Sequence, residues 1–157
     1  MRVLSIDPGL SITGFSILDQ RNRGNTILVA YGTIRPPKSA PMGERLNYIF
    51  EEIMEVFDQF SPDVLAIEDA FYSNNVKSAM KLGQARGTIM LAAARANIKV
   101  YEFAPRKVKQ SVCGNGAASK EQVKFMVMQI LKLKESPKPL DVSDAMAVGI
   151  CYLNQAL

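Results

Sequence analysis

Apolar residues recur along this chain in two rhythms, one suited to strands and one to helices. Residues 3–6 (Val-Leu-Ser-Ile) form a short apolar run closed by Asp7-Pro8-Gly9, which predicts a strand followed by a turn. Residues 13–18 and 27–34 read as two further strands, joined as a hairpin by the polar segment 19–25. Pro36, Pro37 and Pro41 mark a loop. Over 44–60, Leu46, Ile49, Phe50, Ile53, Val56, Phe57 and Phe60 return at helical spacing, and Pro62 ends that helix. The continuous apolar run 64–67 predicts a strand covered on both faces, with Glu68 at its end. An Ala-rich helix over 76–96 and a fifth strand over 99–103 follow. Ser119 with Gln122 is a capping-box pattern that opens a helix whose apolar face is Val123, Met126, Val127, Ile130 and Leu131. Pro137 and Pro139 then break the chain, and a last helix begins near Asp141. Strands followed by helices, without repeat or linker, predict one α/β domain over 1–157: a five-stranded mixed sheet flanked by helices.

Composition adds exclusions. At 157 residues, 48% apolar and 22% charged, the chain has the profile of a globular protein that buries its own core. No apolar stretch is long enough to span a bilayer, and the opening residues lack signal-peptide architecture, so a cytoplasmic protein without membrane attachment is expected. In that setting Cys113 and Cys151 are expected as reduced thiols rather than a disulfide. The chain contains no histidine. A Ser-His or Cys-His nucleophile, a histidine base and a His-ligated zinc are therefore excluded, and chemistry must come from carboxylates, lysines, hydroxyls, thiols or a bound metal.

The carboxylates carry the strongest pattern. Asp7 and Glu68 each stand where an apolar strand ends, and the carboxyl edge of an α/β sheet is where ligands bind. Two acids brought to one edge repel unless a cation lies between them. Asp141 and Asp144, three apart at a helix start, share one helix face, and a helix N-terminus favours negative charge. Oxygen-only ligation selects a hard cation such as Mg²⁺ or Mn²⁺. Each acid also has an ordinary alternative: an Asx-turn for Asp7, a solvated strand end for Glu68, an N-cap for Asp141. Asp69 competes with Glu68, and strand alternation lets only one of them join Asp7. Together the four suggest a two-metal site.

At these residues the chain resembles the RuvC family. The resemblance lies in Ile-Asp-Pro-Gly-Leu at 6–10 with Thr13-Gly14, Ala66-Ile67-Glu68 with Phe71, and Asn75 with Ser78-Ala79. It continues through Leu82-Gly83-Gln84-Ala85-Arg86-Gly87, the stretch from Val108-Lys109-Gln110 to Gly114-Asn115-Gly116, Lys120 with Gln122-Val123, and Asp141-x-x-Asp144-Ala145. It covers nearly the whole chain in order. It implies a ribonuclease-H-like fold, a homodimer, and paired symmetric nicking of four-way (Holliday) junctions in recombination and repair, leaving 5′-phosphate and 3′-hydroxyl ends. The implied metal ligands are Asp7, Glu68, Asp141 and Asp144, holding two Mg²⁺ per site with Mn²⁺ as substitute. Phe71 is the implied junction-probing aromatic, Lys109 and Lys120 the implied phosphate contacts, and the RuvA/RuvB branch-migration motor the implied partner. One departure is Tyr152, where many members carry histidine after the last acid; its position reads as peripheral.

Residue chemistry extends this picture. Setting aside the four acids leaves 11 acidic against 19 basic residues, an excess of 8 that suits a polyanion. Arg106, Lys107, Lys109 and Lys120 cluster as phosphate contacts, against the alternative of a solvated face. Phe71 and Tyr72, in a polar loop with Asn75, stack on an unpaired base or pack under the loop. Arg86 joins the expected DNA contacts. Ala79, Gly83 and Gly87 repeat every four residues, which points to close helix approach, either to the sheet or, as the favoured reading, to a partner subunit. Two rivals share parts of the pattern: a fragment of an actin-like or sugar-kinase-type ATPase, and a junction-binding module without catalysis.

Overall fold

The computed structural model describes residues 1–22, 24–70 and 75–156. Five strands form one sheet in the order β3-β2-β1-β4-β5: β1 (Arg2–Asp7), β2 (Thr13–Asn22), β3 (Asn25–Ile34), β4 (Val64–Glu68) and β5 (Lys99–Phe103). The first three strands run antiparallel, while β4 and β5 run parallel to β1, so the sheet is mixed as expected. One face carries α1 (Met42–Phe60) and α2 (Val76–Arg95). The other carries α3 (Pro105–Cys113), α4 (Lys120–Ile130) and α5 (Leu140–Gln155).

Two apolar cores follow from strand alternation. Leu4, Ile6, Leu65 and Ile67 point toward α1 and α2, whereas Val3, Val64 and Ala66 point toward α3, α4 and α5. The capping box forms as expected, with Ser119 N donating to Gln122 Oε1 at 2.8 Å and Gln122 N donating to Ser119 Oγ at 3.2 Å.

Two elements differ from the sequence reading. The hairpin segment 19–25 is mostly strand: Asp19 pairs with Ile27 and Gln20 with Thr26. Ladder hydrogen bonds need no apolar side chain, and Asp19 is held by Arg2 at 2.8 and 2.9 Å, so the polar tip stays paired. Helix α3 was not expected. Its signals were Pro105 at the first position, Val108 and Val112 one turn apart, and Gly114 in the left-handed conformation (φ 72) after the end. The basic run that drew attention to this stretch is the polar face of a short helix.

Helix α5 is the most buried of the five, and it lies across β1 and β2 with two glycines at the crossing. At Gly149 an added Cβ would meet Leu18 Cδ1 at 2.6 Å and Ser5 Oγ at 2.7 Å. At Gly14, on β2, it would meet the carbonyl oxygen of Asp141 at 2.3 Å. Backbone therefore packs on backbone where α5 begins.

Candidate active site

Strand pairing brings the first two acids together. Ile6 pairs with Ile67 in the parallel β1–β4 ladder, so Asp7 and Glu68 leave the sheet at the same level and edge. Their side chains are hydrogen-bonded to each other. The Asx-turn alternative for Asp7 does not hold, because Thr13 closes the turn instead: its hydroxyl donates to Gly9 O at 2.7 Å and accepts from Gly9 N at 3.2 Å. The N-cap alternative for Asp141 also fails. Pro139 is the N-cap of α5, no side chain caps it, and Asp141 lies inside the first turn.

Asp7, Glu68 and Asp144 line one cavity of about 260 Å³, together with Lys109 from α3 and Lys120 from α4. Val108, Val123 and Ala147 form its apolar wall. Asp141 lines an adjoining groove instead, though its charge still bears on Asp7 and Asp144. Burial pushes the Asp7 carboxyl up to about 8, assisted by the charges of Glu68, Asp144 and Asp141 and by the bond to Glu68. Glu68 and Asp144 are raised as well, chiefly by burial, while Lys120 and Lys109 oppose the rise. Without a counter-ion, one proton between Asp7 and Glu68 relieves the repulsion.

Among the described residues, no three acidic or thiol side chains are already drawn together as a closed ligand set. The donors nevertheless fit a hard divalent cation. Three carboxylates face one cavity, a fourth adjoins it, all offer oxygen only, and the site carries negative charge that a cation would neutralise.

The remaining candidates separate by position. Lys109 and Lys120 stand in the cavity. Lys107 lies outside it with Nζ 5.6 Å from the Phe103 ring centre, and Arg106 packs beside Gly116. Asn75 caps α2 by accepting from Lys77 N at 2.9 Å. Phe71 and Tyr72 lie outside the described residues. Tyr152 packs on Tyr101 and Phe103 with ring centres 4.9 and 6.3 Å away. Eight residues beyond Asp144, it sits about 12 Å further along the helix, away from the acids.

Arg86 is engaged within the domain. Expected at DNA, its guanidinium is ion-paired with Asp69 (Nη2 to Oδ1, 3.0 Å) and with Glu102. Alternation is the reason. Glu68 faces the cavity, so Asp69 faces α2 and needs a cation there. The Asp69 contact is at ion-pair distance but poorly aligned, and Oδ1 makes no directed hydrogen bond. Replacement Arg86→Met should leave both acids unpaired and lower stability by roughly 1–3 kcal/mol. The salt dependence of DNA binding should not change. Thermal melting with a salt titration checks this, and a flattened salt slope would return Arg86 to the phosphate contacts.

An acidic, oxygen-only centre at the carboxyl edge of this mixed sheet is an arrangement of the ribonuclease-H-like class. The profile of the family described as "Crossover junction endodeoxyribonuclease RuvC" matches residues 3–152. Among relatives of that name, the protein from Caldicellulosiruptor saccharolyticus is 42% identical, covering 98% of this chain and 92% of its own. That from Thermotoga petrophila is 43% identical, covering 99% and 94%. The solved structure of T. thermophilus RuvC in complex with Holliday junction substrate superposes with a TM-score of 0.94 at 33% identity, covering 99% of this chain and 94% of that one. The chain belongs to the RuvC family of crossover junction endodeoxyribonucleases, whose members are metal-dependent nucleases. Neither the ATPase fragment nor the idle binding module is favoured by these likenesses.

Proposed function

We propose that residues 1–157 form one nuclease domain that resolves four-way DNA junctions by paired nicks, with Asp7, Glu68, Asp141 and Asp144 as ligands for two Mg²⁺ per site and Mn²⁺ as substitute. The observation that carries this reading is the cavity itself, in which acids from β1, β4 and α5 meet beside two lysines. Bound there, divalent cations would lower the pKa of an attacking water and neutralise the leaving oxygen. Asp7, on the central strand and pressed by three other acids, would be the most central of the residues holding the cations. Lys109 and Lys120 draw the phosphate toward the acids. Val108, Val123 and Ala147 keep one wall dry, which strengthens every charge interaction inside.

The partner subunit belongs on α2. Val76, Met80, Gly83, Gly87 and Leu91 fall within an arc of about 80°, opposite the buried Ala85, Ile89, Ala92 and Ala93. Val76, Met80 and Leu91 are exposed, and an added Cβ at Gly83 or Gly87 would meet nothing within 4 Å, so the glycines are not there for the chain's own sheet. A second copy docked on this stripe, with Ala79 at its flank, places two sites on one junction. Phe71 and Tyr72, three and four residues after Glu68, are placed by sequence to stack on its unpaired bases. A cytoplasmic setting, with the RuvA/RuvB motor as partner, goes with this role. Among the described residues no helix is long and apolar enough to cross a membrane.

Incubation of a four-way junction and a linear duplex of the same sequence, with and without Mg²⁺, tests the reading. Symmetric nicks in the junction alone, and only with metal, are expected; equal cutting of both substrates would overturn the structure-specific assignment. Lys109→Ala should weaken junction binding and lower its salt slope by about one. An unchanged slope would remove Lys109 from the phosphate contacts.

A further inference from the structure

A second groove, of about 490 Å³, adjoins the carboxylates on the side away from Lys109 and Lys120. It lies between the β1–β2 turn, the start of α1 and the start of α2, and Ser11, Arg45, Ser78, Lys81 and Asp141 are among its lining residues. Arg45 is the unusual member. Arg2, Arg45 and Arg86 are the half-buried arginines among the described residues. Arg2 is neutralised by Asp19, and Arg86 by Asp69 and Glu102. Arg45 has no carboxylate partner among the described residues: its Nη2 donates to Leu10 O at 3.2 Å, and its Nε is buried with no acceptor. A guanidinium drawn from water without an anion is an incomplete arrangement, and its planar fork of donors matches the oxygens of a phosphate.

The surroundings keep that guanidinium in place. The turn that supplies Leu10 O is closed by Thr13, and an added Cβ at Gly9 would meet Ile12 O at 2.2 Å, so the turn has little room to move. It follows directly from Asp7, which ties the position of Arg45 to that of the central acid. Ser78 and Lys81, three apart on α2, present a hydroxyl and a second cation to the same groove, and Lys81 makes no ion pair among the described residues.

We propose that this groove is a second phosphate subsite, in which Arg45 and Lys81 hold a backbone phosphate of the DNA strand on the far side of the carboxylates from Lys109 and Lys120. It rests on the endonuclease reading above. With cations on both sides, a strand is gripped before and after the point where the acids act. Asp141 borders the groove, so the anion sits at the Arg45–Lys81 end.

The test is junction affinity by fluorescence anisotropy across a series of salt concentrations. Asp7→Asn serves as the background, so that binding is read without cutting. Adding Lys81→Gln, an exposed change, should weaken binding about 5- to 10-fold and lower the salt slope by about one. Arg45→Gln should do the same or more, and the double change should lose less than the product of the two, because both cations serve one phosphate. An unchanged affinity and slope for Lys81→Gln overturns the subsite, whatever Arg45→Gln does to folding. If the unsubstituted chain fails to bind or cut the junction with Mg²⁺ present, the endonuclease reading falls. If it cuts normally while Lys81→Gln binds like its background, the subsite alone falls.

Discussion

Asp7→Asn is expected to reduce junction cleavage by roughly 10³-fold or more, since it removes the most central of the carboxylates that would hold the cations. Junction binding should persist or tighten, because one repulsive charge near the phosphates is gone. The same change should make the metal-free protein more stable. In the folded state the Asp7 carboxyl is raised to about 8, chiefly by burial, with Glu68, Asp144 and Asp141 adding to the rise. In the unfolded chain it titrates near 4. Between those values the folded state binds more protons than the unfolded one, so stability falls as pH rises. The contribution is complete below about 4 and lost by about 8. Glu68 and Asp144, also raised, act in the same direction. At pH 8 in chelator, Asp7→Asn should gain on the order of 2–4 kcal/mol, less than the full shift implies because Asp7 and Glu68 share one proton. Thermal melting from pH 5 to 8 reads this directly. An identical decline in the Asn variant would remove Asp7 as its source.

Gly14→Ala should have the second largest effect, although residue 14 carries no chemistry. Gly14 pairs with Asp7 across the β1–β2 ladder and lies against the backbone of Asp141. Its added Cβ would meet the Asp141 carbonyl oxygen at 2.3 Å and carbonyl carbon at 2.5 Å. Neither neighbour is a flexible side-chain end, so the start of α5 must move. That displaces Asp141 and Asp144 from Asp7 and Glu68 together. A misplacement of about 1 Å costs roughly 10²-fold in rate, and the overpacking costs about 1–3 kcal/mol. Gly149→Ala provides the contrast. Its Cβ would meet Leu18 Cδ1 and Ser5 Oγ, side-chain atoms under the middle of α5, so stability should fall while cleavage per folded molecule changes little. Equal activity in Gly14→Ala and the parent would show that the acids do not depend on this contact.

The comparison of these glycines shows where sequence reading stops. Asp7, Glu68 and Asp144 were legible because each follows a strand or opens a helix, and the absence of histidine left carboxylates as the main candidates. Gly14 stood in the family pattern beside Thr13, but its reason is a contact with residue 141, far along the chain, and no local signal carries that. The partners of Arg86 were hidden for the same cause. A basic residue in a helix pattern looks free for phosphate until the fold puts Asp69 and Glu102 beside it. Arg45 drew no attention, because nothing near it in sequence says that it ends beside Leu10 without an anion.

Period and punctuation in the sequence by themselves determined the five strands, four of the five helices and the capping box, and singled out four acids as candidates, because those depend on neighbours within a turn or a strand. Only the tertiary structure decided that Asp7 and Glu68 share a hydrogen bond, that Asp69 pairs with Arg86, that Asp141 borders a second groove and that α3 brings Lys109 into the cavity of the acids. Each of these rests on a contact between segments distant in the chain. Such contacts are settled by packing and by the neutralisation of buried charge, which no local pattern encodes.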